Sequence, residues 1–161
     1  RNQLLVNNRN GTFVDRSAQS GVGLELLKVS RGLATGDYDN DGDLDLLISN
    51  ANDTPDLLRN DGGNQGNWLI IRTIGTVSNR AGSGARVTIK AGDLTQMDEV
   101  RSGSGYLSQN DLRLHFGLGE RKQIDSIEVR WPSGTVDTIR NILPNQIITV
   151  KEGAGLLTGH H

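Results

Sequence analysis

The stretch GDYDNDGDLDLLIS, residues 36–49, carries an aspartate at every second position from Asp37 to Asp45. Five carboxylates within nine residues repel one another, and this repulsion opposes folding unless a cation neutralises it. Calcium suits such a loop, because the ion takes about 6–8 oxygen ligands and favours carboxylates. The stretch therefore predicts a calcium-binding hairpin that leads into the short apolar strand LDLLIS.

The spacing of the aspartates assigns a role to each loop position. Counted from Asp37, aspartate side chains fall at positions 1, 3, 5 and 9, and the backbone carbonyl of Asp43 falls at position 7. Gly42 stands at position 6, where the loop bends sharply and a side chain would obstruct it. The Asp43 side chain is expected to point away, toward the next strand or a second ion. The predicted metal ligands are Asp37, Asp39, Asp41, Asp43 and Asp45.

Two other kinds of cation site fit this stretch less well. The helix–loop–helix calcium site begins in the same way but closes with a bidentate glutamate at position 12, and position 12 here is Ile48. Magnesium demands stricter octahedral geometry and retains its water. The flanking residues are strand-like, which favours a strand–loop–strand calcium site. A solvated acidic turn without an ion is the remaining alternative.

The sequence around this loop predicts one short β-sheet. Turn-forming residues bound strand candidates at 31–36, 44–49 and 56–59. The segments at 3–13 and 56–68 resemble each other at a spacing of 53 residues, which is typical of propeller blades, although two unrelated hairpins would also produce it. Residues 1–66 amount to little more than one blade. Its open strand edges therefore predict packing on the second region, or self-association.

Residues 67–152 predict a separate antiparallel β-sandwich. Short alternating segments separated by turns are typical of such a fold. They lie at 67–74, 85–92, 95–102, 112–119, 125–131, 135–141 and 146–152. We expect Trp68 and Trp131 to anchor the core, and His115 to be a surface or edge residue.

Composition narrows the function classes. The chain has no cysteine, which excludes disulfides, thiolate catalysis and Cys-based zinc sites. Residues 67–161 carry nine acids and eleven bases without a Lys/Arg run, so no nucleic-acid-binding face is expected. No apolar run reaches about 18 residues, so no membrane span is expected. Because the chain starts at Arg1, we expect a processed or excised piece. Its tail, residues 153–161, is expected to be disordered and to end in a His160-His161 linker or tag remnant.

Several motifs resemble known families. The stretch at 36–50 resembles the calcium loop of FG-GAP/VCBS-type propeller repeats, similar to those of integrin α-subunits, and LLVNNRNGTFVD (4–15) resembles their outer-strand signature. Three further motifs resemble the ASPIC/UnbV domain of the cartilage acidic protein-like family. They are NWLIIRTIGTVSNRAGSGARVTI (67–89), EVRSGSGYLSQNDLRLHFGLG (99–119) and IEVRWPSGTVDTI (127–139). The resemblance implies a secreted or extracellular, calcium-dependent protein with a propeller and a transthyretin-like β-sandwich.

These observations favour a non-enzymatic calcium-binding module for extracellular interaction or assembly, with a protein or glycan partner. Cell-surface or periplasmic locations are compatible with it. A carbohydrate-binding module is one alternative. A secreted polysaccharide-acting enzyme that uses calcium is another, and it would need an acid/base pair in a cleft. The carboxylates available for such a pair are Asp98, Glu99, Asp125 and Glu128.

Overall fold

The structure, a computed structural model, describes residues 1–8 and 10–157. Within those ranges the regular elements are β-strands and short 3-10 turns, so the all-β fold class predicted from the sequence is confirmed. None of the helical turns described there is long or apolar enough to cross a membrane.

The first region forms a hairpin and a three-stranded antiparallel sheet of order β3-β4-β5. The bounds are β1 (Leu5–Asn7), β2 (Phe13–Asp15), β3 (Ser30–Gly36), β4 (Asp45–Asn50) and β5 (Asp53–Leu58). The 53-residue spacing noted in the sequence is not repeated in the fold. Its first copy forms the β1–β2 hairpin, whereas its second copy runs from β5 into the next region.

This small sheet has one covered face and one exposed face. The turn at Val22–Glu25 packs on the covered face, since a Cβ atom at Gly23 would lie 2.9 Å from the Leu58 side chain. The opposite face exposes Leu47 and Leu57, which pair across β4 and β5. Among the described residues of this region, the buried apolar side chains are Leu24 and Ile48. The region therefore has little core of its own.

The second region is a β-sandwich of two four-stranded sheets, ordered β11-β10-β7-β8 and β13-β12-β6-β9. Its first strand begins at the predicted position, Asn67. The strand bounds are β6 (Asn67–Ile74), β7 (Arg86–Ala91), β8 (Leu94–Glu99), β9 (Leu114–Gly119), β10 (Ile124–Arg130), β11 (Val136–Ile142), β12 (Gln146–Lys151) and β13 (Gly155–Leu156).

Alternate residues of both sheets point inward and form one core. Leu69 and Ile71 on β6 meet Val87, Ile127 and their neighbours from the other sheet, and all four are fully buried. Trp131 belongs to this core at 3% exposure, as predicted. The inward positions recur every second residue, as expected for strands with one face toward a core.

One strand pair differs from the predicted antiparallel arrangement. Strand β12 runs parallel to β6, with Ile148 opposite Ile71 and Val150 opposite Thr73. After the β10–β11 hairpin the chain crosses to the other sheet and reaches β6 in the same direction. Alternation of apolar residues identifies the buried face of a strand but carries no information about its direction.

The predicted disorder from residue 153 onward is wrong for residues 153–157. Strand β13 pairs with β12, placing Leu156 opposite Val150, and the Leu156 side chain packs against the sandwich core. A turn closed by Ala154 N–H on the Lys151 carbonyl makes this pairing possible. The His160-His161 end lies outside the described residues.

A buried carboxylate fixes the loop after β6. Glu152 is only 3% exposed, and it accepts hydrogen bonds from the backbone N–H groups of Thr76, Val77 and Ser78 at 2.7–2.8 Å. The hydroxyl of Ser133 donates to it as well. Burial opposes ionisation of Glu152, but these hydrogen bonds outweigh it and lower the pKa of Glu152 from 4.5 to about 2. Nothing in the sequence pattern indicates this arrangement.

The two regions share an interface along β3. The Asn110 side chain accepts a hydrogen bond from Thr35 N–H at 3.0 Å, and Asp111 N–H donates to the Thr35 carbonyl at 2.8 Å. The loop before β9 thus covers an edge predicted to be open. The other edge of this three-stranded sheet is β5. Self-association by pairing at that edge would lack one hydrogen bond, because Pro55 has no N–H to donate to a neighbouring strand.

Candidate metal centre

The acidic loop joins β3 to β4 and folds around the carboxylate of Asp37. This carboxylate accepts hydrogen bonds from Asp41 N–H at 3.1 Å and from Gly42 N–H at 3.0 Å. The loop can turn back in this way because Gly42 adopts a φ of +99°, which other residues rarely adopt. The glycine predicted at the sharp bend therefore lies at the bend.

Three of the predicted ligands converge. One carboxylate oxygen from each of Asp37, Asp39 and Asp45 lies within 4.8 Å of the other two. Asp37 and Asp45 are each 2% exposed, whereas Asp39 is exposed. Tyr38 N–H and Asn60 N–H donate to the two oxygens of Asp45 at 3.1 and 2.9 Å. Two of the three carboxylates are therefore fixed by the backbone, and the third is free to adjust.

Asp41 and Asp43 do not join this group. The Asp41 carboxylate accepts a hydrogen bond from Asp43 N–H at 3.1 Å. The Asp43 side chain is 3% exposed, and its Oδ2 accepts from Gly63 N–H at 3.0 Å, so it faces the chain that follows β5. Its Oδ1 is buried and has no hydrogen-bond partner among the described residues. A buried carboxylate oxygen without a partner is unfavourable, and a cation would relieve it.

The electrostatics of the loop also favour a cation. Partial desolvation by the folded loop, together with the charges of Asp41, Asp45 and Asp37, raises the pKa of Asp39. Burial likewise raises the pKa of Asp43, although the Gly63 hydrogen bond partly opposes it. Within the described ranges, no Lys or Arg side chain forms an ion pair with any of the five aspartates. The donor set is oxygen only, which suits Ca²⁺.

The chain after β5 closes one side of the loop. Asn60 N–H bonds to Asp45, Gly63 N–H bonds to Asp43, and the Asn64 amide donates to the Asp41 carbonyl at 3.0 Å. The sequence pattern predicts this segment only as a turn of the repeat. Its asparagines and glycines indicate a turn, but no local pattern shows that they bind aspartates 15 to 23 residues earlier in the chain.

The β-sandwich closes another side of the loop. His115 Nε2 lies 2.8 Å from the Gly42 carbonyl, and its ring stacks on Trp68 with centroids 6.4 Å apart and planes at 14°. A Cβ atom at Gly42 would overlap the Trp68 indole. The prediction of Trp68 as a core anchor is therefore wrong, since Trp68 is a half-buried side chain on the outer face of β6. Strand alternation places it opposite the buried Leu69, on the face that receives the loop.

Arg113 completes this contact. Its guanidinium donates to the Asp37 carbonyl and to the Asn40 side chain at 2.6 Å, while its Nε donates to Asp111 at 2.6 Å. The arginine therefore contacts the loop through neutral oxygens and leaves the Asp37 carboxylate without an ion pair. The role of Arg113 is not predicted from the sequence, because a residue just before a strand gives no local signal of a distant partner.

The carboxylates considered for acid/base chemistry lie outside this site. Asp98 pairs with Arg101 at 3.2 Å, Glu99 with Arg86 at 2.9 Å, and Glu128 with Arg130 at 2.7 Å. Asp125 accepts a hydrogen bond from Gly92 N–H at 2.8 Å. Each of these carboxylates already has a partner on the sandwich surface.

Comparison with known proteins adds two family matches. The family described as ASPIC and UnbV matches residues 75–156, and the FG-GAP-like repeat matches residues 1–48. Cartilage acidic protein 1 from Homo sapiens is 31% identical over 153 residues, which cover 92% of this chain and 22% of the human protein. The Xenopus tropicalis protein of that name is 36% identical over 124 residues, covering 74% of this chain and 18% of its own length. The chain thus spans less than a quarter of these relatives.

Proposed function

This chain belongs to the ASPIC and UnbV family and carries an FG-GAP-like repeat before the ASPIC and UnbV domain. From that premise we propose that it is a non-enzymatic, calcium-binding module for extracellular interaction or assembly. Asp37, Asp39 and Asp45 would hold the ion through carboxylate oxygens. The convergence of these three carboxylates without a protein cation is the observation that carries the proposal. The similarity of most of the chain to a protein named cartilage acidic protein 1 supports the extracellular assignment.

The role of calcium in this proposal is structural. Neutralising the carboxylates removes the repulsion that opposes closing of the loop between β3 and β4. The same loop carries the Gly42 carbonyl and the Asp37 carbonyl, which His115 and Arg113 contact from the sandwich. A loop held closed by the ion would therefore present both carbonyls in the positions that the sandwich recognises. Calcium would in this way stabilise the junction between the two regions, and the partner would meet a rigid surface.

The test is calcium-dependent unfolding of the full chain. Extracellular calcium modules bind with Kd values of about 10⁻⁴–10⁻³ M. At about 10 mM calcium, mass action on the folded state then adds about 1.4–2.7 kcal/mol, or roughly 3–10 °C in Tm for a chain of this size. Calorimetric unfolding with calcium and with excess chelator measures the difference. Equal melting temperatures in both buffers would contradict the proposal.

Asp39→Asn separates ion binding from folding. Unlike Asp37 and Asp45, Asp39 accepts no hydrogen bond from the backbone of another described residue, and partial desolvation and neighbouring negative charge raise its pKa. The variant should therefore be at least as stable as the wild type in chelator, yet lose most of the calcium-induced rise in Tm. Glu25→Gln is the matched control: Glu25 is exposed in the same region and its side chain makes no hydrogen bond or ion pair among the described residues. That control should keep the full calcium response.

A further inference from the structure

A second polar site lies where β9 separates from β6. The last residue pair of these strands is Ile71 with Leu114, and β6 continues to Ile74 without β9 beside it. The gap forms a cleft of about 530 Å³. Its lining residues are Arg72, Thr73, Ile74, Arg80, Ala81, Asp111, Leu112 and Arg113. The lining therefore combines three arginines with the apolar residues Ile74, Ala81 and Leu112.

The charge in this cleft is not balanced. Asp111 is the carboxylate among the lining residues, and both of its oxygens are used by Arg113, at 2.9 Å from the backbone N–H and 2.6 Å from Nε. Arg72 and Arg80 make no side-chain hydrogen bond or ion pair within the described part of the chain. Two positive charges are thus left unneutralised in one concave surface, which concentrates anions.

The backbone positions of the two free arginines are fixed. Arg72 lies on the central strand β6, where it pairs with Thr149 of β12. Arg80 ends a loop closed by Gly75 N–H on the Arg80 carbonyl at 3.1 Å, and the buried Glu152 binds the three N–H groups earlier in that loop. Little backbone ordering is therefore needed when a ligand binds, which favours affinity.

We propose that this cleft is a binding site for a compact oxyanion, a carboxylate or sulfate group, held by the guanidinium groups of Arg72 and Arg80. Planar guanidinium groups match the oxygens of both anions and can donate two parallel hydrogen bonds. Arg113, whose charge is paired with Asp111, separates this cleft from the acidic loop. The apolar Ile74 and Leu112 also line the cleft and offer contacts to the carbon part of an acidic ligand.

The experiment is an NMR titration of the ¹⁵N-labelled full chain with sodium sulfate and, separately, with sodium acetate. Sodium chloride is adjusted to hold the ionic strength constant, because screening alone changes the shifts of exposed residues. We expect saturable shifts confined to residues 72–81 and 111–113. The anion with the lower Kd identifies whether the site suits a sulfate or a carboxylate group. Chemical-shift changes that grow linearly with anion concentration, or that spread over all basic surfaces, would overturn the proposal.

Variants test the two arginines directly. Arg72→Gln and Arg80→Gln should each raise the Kd about tenfold, as expected for loss of charge-assisted hydrogen bonds. Arg80→Lys keeps the charge but loses the planar donor pair, so its Kd for the anion should lie between those of the wild type and Arg80→Gln. Arg140→Gln is the control, since Arg140 is exposed on β11 and has no side-chain partner among the described residues. An equal loss of binding in this control would refute the assignment.

Discussion

Replacing Gly42 with alanine should destabilise the protein more than the same change at Gly134. Both glycines have a left-handed backbone, with φ of +99° and +92°. A Cβ atom at Gly134 has nothing within 4 Å, whereas one at Gly42 would overlap the Trp68 indole. The two substitutions therefore share the backbone strain, and only the one at Gly42 adds a steric conflict between the acidic loop and the sandwich.

The magnitudes follow from these two effects. Left-handed strain costs about 1–2 kcal/mol for a residue with a Cβ atom, which is the expected loss for Gly134→Ala. Overpacking against a fixed side chain adds about 1–3 kcal/mol, so Gly42→Ala should lose about 2–5 kcal/mol. The conflict disappears if Trp68 is also replaced by alanine. A double-mutant cycle of Gly42→Ala and Trp68→Ala should therefore show a favourable coupling energy of about 1–3 kcal/mol.

Urea unfolding followed by far-UV circular dichroism is the appropriate assay, because removal of Trp68 would change a fluorescence signal directly. The measurement is made at one fixed calcium concentration, so that all variants are compared under the same conditions. Two results would refute the reasoning. One is that Gly42→Ala loses no more free energy than Gly134→Ala, and the other is that Trp68→Ala fails to reduce the loss. Either would mean that the indole does not pack on the loop.

Two other predictions concern residues outside the aspartates. The pKa of Glu152 falls from 4.5 to about 2 on folding, so its stabilisation is complete above pH 4.5 and is lost as the pH falls toward 2. Glu152→Gln should therefore be less stable at neutral pH and show a flatter loss of stability between pH 4.5 and 2; parallel pH curves in urea unfolding would contradict this. Asn110→Ala leaves Thr35 N–H without its acceptor and should cost about 1–3 kcal/mol, whereas Asn110→Asp, which keeps an acceptor oxygen, should cost less. If calorimetry shows that Asn110→Ala and Asn110→Asp lose the same stability, the hydrogen bond to Thr35 N–H is unimportant.

The elements that could be predicted from the sequence are those with local signals. Alternating aspartates, a glycine at the bend and an apolar strand are all encoded within fourteen residues, and the structure brings Asp37, Asp39 and Asp45 together there. The start of β6 at Asn67 follows from a turn-rich segment before a run of apolar residues. Such signals are sufficient for a hairpin, because its register is set by nearby residues.

The features that the sequence did not predict depend on residues distant in the chain. Trp68 lies in an apolar run, which suggested the core, yet strand alternation places it on the outer face beside Ile70, which is 1% exposed. Ile70 is as buried as a core residue although it belongs to the other face of β6. An apolar run marks a strand covered on both faces, but it does not identify what covers each face.

Burial of both faces of β6 links the architecture to the proposed role of the ion. The first region has little apolar core, so its stability depends on the acidic loop and on the junction with the sandwich. The junction contacts the loop through backbone carbonyls, at Asp37 and Gly42, rather than through carboxylates. The carboxylates therefore remain available for a cation while the same loop binds Arg113 and His115. Under the proposed function, the ion binds the carboxylates of the loop, whereas the sandwich binds its backbone carbonyls. Ion binding and packing of the two regions therefore reinforce each other, because each requires the same closed loop conformation.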